Sequence, residues 1–87
     1  MTELVVTFRN GKPLAAYLPL SKRSSDKAVH TEEAEAGLVV DFAADGRRIG
    51  IEITSPSQFN LAALNRVLIS LNLTPADPAD VTPLVAA

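Results

Sequence analysis

A chain of 87 residues, 47% hydrophobic and 21% charged, suits one folded domain with a single modest core and excludes a disordered or multidomain protein. Its net charge of −2 argues against a nucleic-acid binder, and its lack of cysteine removes disulfides, thiolate nucleophiles and cysteine metal ligands. The opening MTELVV has no basic stretch leading into a long apolar run, and no apolar run reaches membrane-spanning length, so a cytoplasmic protein without membrane contact is expected.

Leu4–Phe8, rich in β-branched and aromatic residues, predicts a first strand. Asn10-Gly11 marks a turn, and Leu14–Leu20 predicts a second strand. A two-residue turn would set Phe8 against Pro13 and Val6 against Ala15. A three-residue loop, Arg9-Asn10-Gly11, sets Val6 against Leu14 and Leu4 against Ala16, and is preferred because it pairs the stronger apolar set. Pro13 and Pro19 lack a backbone N–H, so this strand is expected at an edge or paired on one side only. Ser21–His30 is polar and reads as a surface loop. Thr31–Ala36 is ambiguous between a short edge strand and a single helical turn.

The most specific stretch is Gly37–Ser57, GLVVDFAADGRRIGIEITSPS. Centring a tight turn on Asp45-Gly46 sets Phe42 against Ile49, Val40 against Ile51 and Leu38 against Ile53, with all six side chains on one face. A slip of one residue would put Arg48, Gly50 and Glu52 there instead. Next, Ser55-Pro56-Ser57-Gln58 has the chemistry of a helix start, and Asn60 is a second candidate cap. Leu61, Leu64, Leu68 and Leu71 then make the apolar stripe of an amphipathic helix, with Val67 and Ile69 off its centre. That surplus asks for cover, either from the C-terminal tail or from a partner helix. The tail, Thr74–Ala87, holds Pro75, Pro78 and Pro83 and is expected to be extended, offering Val81, Leu84 and Val85 for docking.

The second hairpin resembles the signature of a small bacterial family, domain of unknown function 2283. Gly37, Val40, Asp41, Gly46, Gly50, Ile51, Glu52 and Ile53 stand at its pattern positions, and Phe42 takes the tyrosine position. Ala16–Leu20 (AYLPL) is a looser version of its first-hairpin L-Y-I-x-L run, while Asn10, Gly11 and Lys12 replace the acidic residues usual there. The resemblance spans about residues 4 to 70. It implies an antiparallel sheet with one packed helix and no established activity. It also raises a neutralising role, since some members are encoded beside small toxin-like proteins.

Few residues invite chemistry. Asp41, facing Gly50, and Glu52, facing Val39, are diagonal neighbours on the face away from the isoleucines, ~6–8 Å apart at Cβ. Two carboxylates at that range suit acid–base work or a hard cation, although no third oxygen-rich element joins them. Gly50, in mid-strand, signals a bulge or the close approach of a backbone or ring. His30 with Glu32 and Glu33 has poor spacing for a metal, and neither a serine-nucleophile elbow nor a phosphate loop is present. Lys22, Arg23, Lys27, Arg47 and Arg48 are the clustered positive charge, suited to an anionic partner or nucleic acid if their two loops meet.

The sequence therefore predicts an α+β fold: a small antiparallel sheet of two hairpins, four to five strands, packed on one face by a single C-terminal helix. Residues 1–73 would form the domain and 74–87 an extended, proline-containing tail. The predicted core takes Leu4, Val6, Phe8, Leu14 and Leu18 from the first hairpin. It adds Leu38, Val40, Phe42, Ile49, Ile51 and Ile53 from the second, and the four leucines of the helix. The favoured function is a non-catalytic interaction module without cofactor or metal, most simply a homodimer, or one that neutralises a small partner protein. The alternatives are a small-ligand or metal site at Asp41 and Glu52, and a weak nucleic-acid site on the basic loop.

Overall fold

The computed structural model describes residues 4–20 and 25–85. Five strands, β1 (Val5–Arg9), β2 (Lys12–Pro19), β3 (His30–Glu35), β4 (Leu38–Phe42) and β5 (Arg48–Ile53), form one antiparallel sheet in the order β1-β2-β5-β4-β3. Helix α1 (Leu61–Ser70) and the segment after it cover one face, so the α+β class stands. The ambiguous Thr31–Ala36 segment is strand, the edge strand β3, closed by a turn in which Gly37 takes φ +79°.

Both hairpins adjust their register near the turn. In the second, Ala43 N–H donates to Arg47 O and Gly46 N–H to Ala43 O, so the loop holds three residues, Ala44 to Gly46, with Gly46 at φ +85°. Phe42 therefore faces Arg48 rather than Ile49. A bulge on β5 then restores the expected alignment, and Asp41, Val40, Val39 and Leu38 face Gly50, Ile51, Glu52 and Ile53. The first hairpin departs further from expectation. Asn10 and Gly11 both take positive φ, +54° and +76°, giving the two-residue turn that Asn-Gly favours. Phe8 thus faces Pro13, a bulge on β2 follows, and Val6 faces Ala16 instead of Leu14. The apolar pairing that favoured the other register has no hold here, because Phe8 and Leu14 are exposed and lie outside the core.

Strand β2 is interior, between β1 and β5, contrary to the edge position expected from its prolines. Each proline nevertheless sits where only one neighbour reaches. Pro13 pairs with β1 alone and Pro19 with β5 alone. Leu20 donates its N–H to Ile49 O in β5, so the alternation of a strand turns the Pro19 nitrogen toward the other side, beyond the end of β1.

The core joins Ala16, Leu18, Leu38, Val40, Ile51 and Ile53 of the sheet to Leu64, Val67 and Leu68 of α1. Asn60, not Ser55, caps α1 by accepting from Ala63 N–H, while Pro56–Gln58 form a separate 3₁₀ turn. The helix ends in a Schellman motif: Asn72 takes φ +61°, its N–H donates to Ile69 O, and Leu73 N–H donates to Leu68 O.

The tail is not extended as expected. It forms a 3₁₀ turn (Pro78–Val81) and the short helix α2 (Thr82–Val85), and it buries Ala76, Val81 and Leu84 in the core. Three prolines fit because two of them fall in the first turns of these short pieces, where a missing N–H leaves no helical bond unmade. Asn65 anchors the segment, its amide donating to Ala76 O and accepting from Ala76 N–H. The surplus apolar surface of α1 at Val67 is thus covered from within the chain, whereas Ile69 stays exposed. The Val85 side chain lies outside the described residues.

Candidate functional site

Side chains alternate along each strand, so the face away from α1 carries Tyr17 of β2, Gly50 and Glu52 of β5, and Val39 and Asp41 of β4. Asp41 faces Gly50 and Glu52 faces Val39, as the hairpin pattern predicts. Tyr17, directly opposite Glu52, leans toward Gly50 and places its ring where a Cβ at that position would stand. Its hydroxyl donates to the Ile49 carbonyl at 3.2 Å. The close approach that the mid-strand glycine signalled is therefore an aromatic ring. Sequence reading could not name Tyr17 as its source, because the β2–β5 register joins residues far apart in the chain.

Asp41 is buried, at 5% exposure, while Glu52 is half-buried. Burial pushes the Tyr17 phenol above its ordinary pKa, and the negative charges of Asp41 and then Glu52 push it further. Glu52 lines a recess of about 240 Å³ with Val5, Thr7, Ala15, Tyr17 and Thr54; Asp41 does not line it. A larger recess, about 450 Å³, opens at the end of the sheet between the β3–β4 turn and the start of α1, away from both carboxylates. Among the described residues no group of three or more histidine, aspartate and glutamate side chains is placed to hold a metal ion. His30 meets Glu32 at 3.4 Å on an exposed strand, and its ring tilts against Phe42.

The basic residues are dispersed by their partners. Arg47 forks onto Asp26 at 2.9 and 3.1 Å and also donates to Asp45. Arg48 donates to the Leu71 carbonyl at the end of α1, at 2.7 Å. Asp45 is held below the usual carboxylate range by hydrogen bonds from the Arg47 backbone and side chain. Lys27 is exposed, and Lys22 and Arg23 lie outside the described residues. No sequence spacing announces the Arg47–Asp26 or Arg48–Leu71 contacts, since both span more than twenty positions.

This geometry sits within one recognisable segment. The sequence model of the family described as Protein of unknown function (DUF2283) matches residues 15–56. Residues 15–56 belong to the DUF2283 family. No curated protein and no solved structure matches it. The DUF2283 segment supplies most of β2 and all of β3, β4 and β5, which are contiguous in the sheet, and it includes Tyr17, Asp41, Gly50 and Glu52. Strand β1, helix α1 and the tail lie outside it, adding an edge to the DUF2283 sheet and a cover to one of its faces.

Proposed function

We propose that this protein is a non-catalytic interaction module whose first partner is a second copy of itself. The observation that carries this reading is the surface of the first hairpin. Val5, Phe8 and Leu14 are 55%, 52% and 53% exposed, on two strands whose Val6, Ala16 and Leu18 pack into the core. Burying such side chains across a subunit boundary is worth ~1.5–3 kcal/mol each, enough together to favour a dimer. Asp41 and Glu52 support the non-catalytic part, because one is buried and the other lines a recess that the first does not reach.

Light scattering over a dilution series tests the reading. A mass near twice that of the chain, falling to the single mass on dilution, is the expected result. A monomer at every concentration overturns self-association and turns the search to a small heterologous protein, the neutralising role that family resemblance raises.

A further inference from the structure

The two edges of the sheet are built differently. Edge strand β3 reads His-Thr-Glu-Glu-Ala-Glu, and its Glu32, Glu33 and Glu35 are the kind of charge that keeps an edge from recruiting another strand. Edge strand β1 reads Val-Val-Thr-Phe-Arg, with one charge at its last position and no covering strand among the described residues.

Hydrogen-bond alternation identifies the groups this edge presents. Leu20 donates to its direct partner Ile49, so Leu18 and Ala16 also turn their backbone groups toward β5, and Tyr17 and Ala15 turn theirs toward β1. Val5 and Thr7, opposite Tyr17 and Ala15, therefore bond inward to β2. The N–H and C=O groups of Val6 and Phe8 point out of the sheet.

We infer that two copies of the chain pair β1 against β1, antiparallel about a two-fold axis at Thr7, to join their sheets into one. This rests on the self-association proposed above and assigns it a surface. Only the register centred on Thr7 sets both outward residues against outward residues, Val6 against Phe8 of the second copy and Phe8 against Val6, so every outward group finds a partner. Val6 packs on the core and Phe8 lies on the same face, so each Phe8 lands beside the second copy's Val6 and extends the apolar layer across the axis. Arg9 falls opposite Val5 of the other copy, which keeps the two guanidinium groups at opposite ends of the junction. A second copy is the occupant that this self-complementary five-residue strand fits.

Phe8→Pro tests the pairing, since it removes an outward N–H and no bond to β2, while Phe8→Ala controls for loss of the ring. Beyond the alanine effect, proline is expected to raise the dimer dissociation constant ~10–100-fold, with unchanged far-UV circular dichroism. Amide hydrogen exchange on the unaltered protein gives a second readout. The Val6 and Phe8 amides should be protected at concentrations where the dimer forms and exchange quickly on dilution. A wild-type dimer whose proline and alanine variants dissociate alike, and whose Val6 and Phe8 amides exchange quickly throughout, overturns the β1 junction and leaves self-association standing. A wild-type monomer overturns both.

Discussion

A methyl group at position 50 would occupy the space of the Tyr17 hydroxyl and ring edge, so Gly50→Ala must lift the ring off β5 and break its bond to the Ile49 carbonyl. The expected loss is about 1–3 kcal/mol, read from the urea midpoint. Tyr17→Phe keeps the ring and should cost only ~0.5–1.5 kcal/mol. The phenol gives a pH signature as well. Because its folded pKa is raised, the unfolded chain releases this proton first. The associated stability is whole below about pH 10 and is lost as the pH climbs from there through the folded value. Tyr17 is the chain's single tyrosine, so tyrosinate absorbance should titrate at higher pH in the folded than in the unfolded protein. The alkaline loss of stability should be smaller in Tyr17→Phe than in the wild type; identical slopes would show that the ring's surroundings do not perturb it.

Elements governed by neighbouring residues were legible and those governed by distant ones were not. Leu38, Val40, Ile51 and Ile53 announced their pairing through strict alternation, and Asp41 and Glu52 fell into place with them. The leucine stripe of α1 was equally plain. What alternation could not supply was the exchange of one loop residue for one bulge near each turn, which leaves the distal register of β4–β5 intact. Nor could it show that the tail folds back. Proline content argued for an extended segment, yet Val81 and Leu84, the residues offered for docking, are buried in the core and hold the tail in a 3₁₀ turn and a short helix. Leu84→Ala is accordingly expected to cost about 2–5 kcal/mol. Asn65→Ala, which strips both bonds from Ala76, should cost ~1–3 kcal/mol and speed hydrogen exchange across residues 76–84 before the sheet is affected. If the tail stayed as protected as the sheet in that variant, the Asn65 clamp would not be what holds it. The contacts of the basic residues were hidden for a related reason: Arg47 pairs with Asp26 and Arg48 with the end of α1, each more than twenty positions away.

At the scale of the molecule, edge chemistry sets how many strands the sheet accepts. Glu32 and Glu33 are exposed, and the contact of Glu32 with His30 is a solvent-screened surface pair. Replacing both with threonine should leave the monomer fold unchanged and open β3 as a second edge. Sedimentation velocity is then expected to show assemblies larger than those of the wild type. An unaltered size distribution would mean that charge is not what keeps β3 single. Glu35 belongs to a different device. It pairs bidentately with Arg66, tying the edge strand to α1, and Arg66 holds its carboxyl below the usual range. The stability from that tie is therefore whole above the unfolded carboxylate pKa and is lost as the pH falls from there through the lowered folded value.

The strand order also dictates a sequence of events in time. The β1–β2, β3–β4 and β4–β5 contacts each close a short loop, whereas β2 reaches β5 only after the whole of β3 and β4 has been laid down between them. Closing that long loop carries the largest entropic toll, so it belongs late in folding, after the β4–β5 hairpin has formed. Val40→Ala should then slow refolding, while Tyr17→Phe, acting at the last seam to shut, should chiefly hasten unfolding.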